Sequence, residues 1–255
     1  MDDDRQPPRH PAGGPIDQGL PAAHAVADAV AVAIPAYQAE PSVGAVVAGA
    51  LRLLLEVLVV DDGSTDGTAA AARQAGARVV SLPANQGKGA ALAAAFRDLF
   101  GRGFAAVVTL DADGQHLPEE IPKLLAASAG ADLVLGVRDQ YFSQMSGLRR
   151  VGNRLSSGAI SFAAGQRLVD IQTGFRLYSR ALFAAVGFPE SRFEAESAVV
   201  VRAARAGFRV VTVPVLLGFA DGRTTSHYRP LVDSCRIAGA VLRARFQALG
   251  WRRSS

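Results

Sequence analysis

The sequence predicts an α/β fold with a mostly parallel central sheet flanked by helices, and three observations carry that reading. Short, continuous apolar runs rich in valine recur along the chain, Ala-rich segments with helical spacing separate them, and a polar cluster follows each of the first four runs. Continuous apolar runs suit strands buried on both faces of a parallel sheet. Their alternation with helices at the pace of βαβ units sets the class. At 255 residues, 49% hydrophobic and 20% charged, the chain has material for one such domain with an appendage at most.

The predicted strands, in order, are AVAVAI (29–34), EVLVV (56–60), ARVVSL (77–82), AAVVTL (105–110) and ADLVLG (131–136). Helical spacing covers roughly 42–54, 66–75, 88–100 and 118–129. Residues 1–28 mix Pro, Gly and charge without periodicity and read as a disordered leader that opens acidic and lacks the apolar centre of a signal peptide. Residues 29–230 form the expected domain, and 231–255 a basic amphipathic helix with Ile237, Val241, Leu242, Phe246 and Leu249 roughly on one face. No stretch reaches the roughly 18 uncharged apolar residues of a spanning helix. A single cysteine, Cys235, rules out an internal disulfide and fits a reducing cytoplasm. The formal net charge is +4, and beyond Asp221 seven arginines face one acid, Asp233, so this end should seek phosphate or an anionic surface.

Open parallel sheets bind ligands beyond the carboxyl ends of their strands. There the chain places PAYQAE (35–40), DDGSTDGT (61–68), PANQGKG (83–89) and DADGQH (111–116). A dinucleotide fingerprint is excluded, because Pro35, Ala36 and Tyr37 stand where its glycines belong. A phosphate loop is excluded too, with Leu82 at its first glycine and Gly89 at its Ser or Thr. Four histidines, two of them in the leader, make no zinc cluster, and no G-x-S-x-G elbow occurs.

One Asp after a strand is ordinarily a helix N-cap. Two acidic strand ends meeting at one crevice, Asp61–Asp62 and Asp111–Asp113, would instead repel one another while partly desolvated. A hard divalent cation, Mg²⁺ or Mn²⁺, relieves that cost, takes oxygen ligands and shares its shell with substrate phosphates. The amide oxygen of Gln115 suits the same ion.

On these residues the chain resembles glycosyltransferase family 2, and within it the polyprenyl-phosphate sugar synthases. The resemblance runs over about 29–240, through AIPAY (33–37), VVDDGSTDGT (59–68), NQGKGAAL (85–92), LDADGQHLPEEIPKL (110–124), LRRVGNRLSS (148–157), DIQTGFRLYSR (170–180) and RFEAESAVVVRAARAGFRVVTVPV (192–215). It implies a GT-A fold and an inverting, metal-dependent transfer of a hexose from GDP-mannose or UDP-glucose to a polyprenyl phosphate. It also implies a peripheral position at the cytoplasmic face of the inner membrane. Nucleic acid is not an expected partner.

By that resemblance Pro35, Ala36 and Tyr37 border the nucleoside, Asp62 holds base or ribose, and Lys88, Asp111, Ala112 and Asp113 serve the donor. Asp113 and Gln115 are the expected metal ligands. The family's Pro-Ala-Tyr-Asn-Glu is altered, with Gln38 and Ala39 in its last two places and Glu40 one place late. Charge grows on the leaving diphosphate, which favours planar guanidinium partners; Arg138, Arg149, Arg150, Arg176 and Arg223 are the candidates. Asp170 and Gln172 are expected on the acceptor side, and His227 and Arg229 at the acceptor phosphate. A lipid phosphate is already an anionic nucleophile, whereas a hydroxyl acceptor would require Asp170, Glu194 or Glu196 as general base. A soluble hydroxyl acceptor and a non-catalytic sugar-nucleotide module are the competing expectations.

Overall fold

The structure is a computed structural model that describes residues 29–54, 56–137, 157–158, 160–166, 168, 171, 173–218 and 230–251, with side chains in the last helix described over 236–246. Its strands are β1 (Val30–Ala36), β2 (Val57–Asp61), β3 (Arg78–Ser81), β4 (Ala106–Thr109), β5 (Leu133–Val137), β6 (Arg176–Ser179) and β7 (Val210–Pro214). The helices are α1 (Glu40–Leu51), α2 (Thr68–Gln74), α3 (Lys88–Gly101), α4 (Ile121–Ala127, entered through a 3₁₀ turn at Pro118–Glu120), α5 (Arg180–Val186), α6 (Glu194–Arg205) and α7 (Pro230–Trp251). These strands form one sheet in the order β3-β2-β1-β4-β6-β5-β7. Among them only β6 opposes the others, pairing antiparallel with β4 and β5.

Valine-rich runs became strands because alternate residues bury into different layers. On one face Ala31, Ala33, Leu58, Val60 and Val107 pack with Leu92, Phe96 and Leu99 of α3, Val199 of α6 and Ile237 of α7. On the other, Val32, Ile34, Val57, Val59 and Val108 pack with Val43 and Val47 of α1 and with Ile121 and Leu124 of α4. Phe96 anchors the first layer, its ring 4.8 Å from Tyr178 and 5.3 Å from Phe188.

The sheet splits where its connectivity changes direction, between β1 and β4. Pro35 shows why. The Val32 N–H donates to the Glu56 carbonyl on the β2 side, so the nitrogens of Ala33 and Pro35 face β4. The β1–β4 ladder ends at Ala33↔Thr109, which leaves Pro35 one position past any demand for an N–H in a central strand. Pairing with β2 continues to Ala36↔Asp61, so β1 reaches two residues beyond the predicted strand.

Two strands escaped the sequence reading, β6 and β7. The last helix also differs from expectation: Ile237, Ala240, Val241 and Ala244 are buried in the domain core, while Leu242 and Phe246 are exposed. The predicted single apolar face is therefore two faces. Among the described residues no helix is long and apolar enough to cross a membrane.

Candidate active site

Four polar loops converge at the β1/β4 split, and hydrogen bonds explain their shapes. After β1, Gln38 takes a left-handed backbone, φ 51°. Its N–H donates to Ser64 Oγ (2.9 Å), its side-chain amide donates to Thr65 Oγ1 (2.8 Å), and its Oε1 accepts from Asp66 N–H (3.2 Å). Glu40 Oε2 accepts the Gly67 N–H at 2.9 Å, and the Ala39 N–H donates to Thr68 Oγ1 at 2.8 Å. The altered Gln-Ala-Glu thus still fastens the loop after β1 to the loop after β2. Helix α2 starts at Thr68, later than predicted, and Asp66 rather than Asp61 or Asp62 accepts the Thr68 N–H.

The two acidic strand ends behave differently. Asp61 Oδ1 accepts the Ser64 N–H (3.0 Å), and the two oxygens of Asp62 accept the N–H groups of Gln86 and Gly87, both at 2.8 Å. Burial raises the Asp62 pKa, and those two donors oppose it. The expected holder of base or ribose is thus first a tether for the NQGKG loop. That loop needs glycine: Gly87 has φ +100°, and a Cβ on Gly89 would lie 2.4 Å from the Glu190 carbonyl.

At the β4 end, Lys88, the first residue of α3, places Nζ 2.6 Å from Asp111 Oδ1 and 2.9 Å from Glu196 Oε2. Burial alone would lower the lysine's pKa, and the charges of Asp111 and Glu196 more than reverse that, holding it well above the ordinary value. The His116 Nδ1 lies 3.6 Å from Asp111 Oδ2, in a ring that is 4% exposed and 5.5 Å from Phe175. Asp111 also depends on Gly174, where a Cβ would fall 2.4 Å from its Oδ2. Asp111 is therefore ion-paired by the protein itself, to a lysine that it shares with Glu196.

Asp113 is not. Its Oδ1 accepts the Gln115 N–H at 3.0 Å, and among the described residues no side-chain nitrogen forms an ion pair with it. Burial first, and the neighbouring Asp111 charge second, raise its pKa. A half-buried carboxylate that is disfavoured in its charged form, with no ion-pair partner among the described residues, suits a hard divalent cation. Ser42 Oγ donates to the Ala112 carbonyl (2.7 Å) and fixes this turn against α1. Pro35 and Tyr37 are half-buried and Ala36 buried on the β1 side of the split.

Arg176 corrects the sequence reading. Placed as a phosphate ligand, it is instead fully buried, because β6 is an interior strand and Arg176 is its first residue. Its Nε donates to the Thr173 carbonyl (2.7 Å), Nη1 to that of Glu196 (2.5 Å) and Nη2 to that of Ile171 (2.6 Å). The guanidinium joins the 171–173 segment to α6 rather than facing the crevice. Arg138, Arg149, Arg150, Asp170, Gln172, Arg223, His227 and Arg229 lie outside the described residues. Glu196 as the partner of Lys88 and Gly174 as the seat of Asp111 were missed. The signals present were an isolated lysine among glycines and an acidic helix start in RFEAES.

Fold and site together define a GT-A glycosyltransferase-type domain. Residues 31–187 match the Glycosyl transferase family 2 domain, and the chain belongs to that family. Over 191 residues it is 34% identical to Glycosyltransferase AglJ of Haloferax volcanii, covering 73% of this chain and 62% of that protein. It is 36% identical to the Undecaprenyl-phosphate mannosyltransferase of Micrococcus luteus (63% and 70% covered). With the Polyprenol monophosphomannose synthase of Mycolicibacterium smegmatis it shares 35% identity (63% and 66% covered). The chain thus spans about two thirds of the length of these relatives. Among solved structures, glucosyl-3-phosphoglycerate synthase from Mycobacterium tuberculosis, in complex with Mn²⁺, UDP and phosphoglyceric acid, has the same fold. The TM-score is 0.65 at 22% identity, with 94% of this chain and 84% of that one covered.

Proposed function

We propose that the chain transfers a hexose, mannose or glucose, from GDP-mannose or UDP-glucose to a polyprenyl phosphate, with inversion and with Mg²⁺ or Mn²⁺. One observation carries the reading. At the β1/β4 split Lys88 pairs with Asp111 while Asp113, one residue beyond Ala112, has no ion-pair partner among the described residues and is left to meet a cation. Two relatives at 35–36% identity bear names of polyprenyl-phosphate mannose transfer, which supports the acceptor class.

Asp113 and Gln115 are the residues that would hold the metal, which when bound offsets charge on the departing diphosphate. Lys88 keeps Asp111 fixed and offsets part of the acid charge where the diphosphate would lie. Asp62 holds the NQGKG loop, and through it the start of α3, in place for the donor. An acceptor phosphate oxygen forms the new bond to the anomeric carbon from the face opposite the diphosphate, whose C–O bond breaks. Because that oxygen is already anionic, no base is required, and the protein's work is positioning and electrostatic.

The test is release of GDP or UDP from a panel of sugar nucleotides by purified protein with Mn²⁺ or Mg²⁺, with and without a short polyprenyl phosphate in detergent. Turnover that needs the lipid phosphate and disappears in Asp113→Ala is the expected result. Turnover on a soluble hydroxyl acceptor alone would move the acceptor assignment, and failure to bind any sugar nucleotide would end the catalytic reading.

A further inference from the structure

We propose that the outer face of α7, together with Phe162, is a docking surface for an anionic phospholipid membrane. The proposal rests on the polyprenyl-phosphate reading for its purpose but on separate residues for its evidence. Helix α7 is already anchored: Ile237, Ala240, Val241 and Ala244 are buried against the core. Folding therefore gives no reason for apolar side chains on its other side. Yet Leu242 is 56% and Phe246 66% exposed, and Phe162, on the neighbouring helical turn at 160–164, is 76% exposed.

Arg245 ties these together. Its guanidinium lies 4.9 Å from the Phe162 ring centroid, and its Nη1 donates to the Phe162 carbonyl at 3.0 Å. Leu242 stands one helical turn before both Arg245 and Phe246, so it lies next to each of them on the helix surface. A cation–π contact of this kind holds an exposed phenyl ring in a fixed direction instead of letting it collapse onto the surface.

Charge selects the occupant. Over the described side chains of 157–166 and 236–246 there is no acid, and there are three arginines: Arg236, Arg243 and Arg245. Arg236 and Arg243 are exposed. Apolar groups for the acyl boundary, rimmed by cations for the headgroups, match an anionic bilayer surface. A second copy would set arginine against arginine. The face is joined to the crevice by α6: Arg205 Nε donates to the Ala163 carbonyl at 2.8 Å, and Glu196 meets Lys88 nearer the helix's other end. The interval is about 14 Å of helix.

Flotation of the full chain with phosphatidylcholine vesicles, with and without phosphatidylglycerol, tests this. The wild type should float with the anionic vesicles and detach as salt rises. Leu242→Ser with Phe246→Ser should lower the partition by about 10- to 100-fold with an unchanged melting temperature. Arg243→Glu should lower it by roughly 5-fold or more on anionic vesicles alone. Undiminished flotation of the double variant, or no flotation of the wild type, would overturn the proposal. So would a wild-type dimer in light scattering that the double variant turns into monomer, since that would give the face to a second copy. Turnover with a short, water-soluble polyprenyl phosphate should survive in the double variant. Flotation lost as expected, in a protein that never uses a polyprenyl phosphate, would uphold the docking surface and refute the acceptor assignment.

Discussion

Asp61–Asp62 and Asp111–Asp113 look alike in the sequence, each an acidic pair at the end of a valine-rich strand, and they do opposite things. At the end of β2 the carboxylates accept backbone N–H groups from Ser64, Gln86 and Gly87. At the end of β4 the first carboxylate is met by a lysine, and the second is left in a partly desolvated place beside it. An acid that accepts N–H bonds organises loops, whereas an acid kept short of cations is prepared for a ligand that brings one. Position after a strand did not distinguish the two; their partners did.

The largest break in this comparison is Lys88→Met. It removes the lysine that Asp111 and Glu196 share, in a site where that side chain is 16% exposed, and should cost about 3–5 kcal/mol in urea denaturation. Next, Asp113→Ala should lower turnover by at least about 10²-fold, or about 2.7 kcal/mol of transition-state stabilisation, without lowering the melting temperature.

The pH dependence of that same residue has a definite sign. Its folded-state pKa is raised, so the associated stability is present below the ordinary carboxylate pKa and is lost as pH climbs through the raised one. Cation affinity moves the other way, since binding requires the carboxylate: Mn²⁺ titrations should tighten across that window, and Asp113→Asn should flatten them.

Asp62→Ala should behave as the structural member of the pair, leaving two loop N–H groups without their acceptor and losing about 1–3 kcal/mol of stability. The smallest effect belongs to Gln38→Ala, which loosens the β1–β2 loop fastening. A loss of about 0.5–1.5 kcal/mol in stability, with weaker nucleotide binding in calorimetry, is expected.

Most of the sheet is legible in the order of the residues. Strands β1, β2, β4 and β5 announce themselves because residues buried on both faces leave an apolar run, and the edge strand β3 does so through Val79 and Val80. Strand β6 does not, since RLYS opens with an arginine and spans only four residues; its identity depends on insertion between β4 and β5. Strand β7 sits at the sheet edge with Thr212 and Pro214 exposed, which thins its apolar signal. In the candidate site, the two acids Asp111 and Asp113 are legible from their place after a strand. The Lys88–Asp111–Glu196 cluster is not, because it joins residues from three distant segments that only tertiary packing brings together. Arg176 was misread for a related reason: an arginine spent on backbone carbonyls and one waiting for phosphate have the same letter.

Mn²⁺ binding in the presence of a nucleoside diphosphate, followed by electron paramagnetic resonance in the wild type, Asp62→Asn and Asp113→Asn, bears most directly on the division of labour between the two acidic ends. Bound Mn²⁺ in the wild type and in folded Asp62→Asn, and its loss in Asp113→Asn, is the predicted result. Undiminished binding by Asp113→Asn would contradict it and return the metal to other carboxylates.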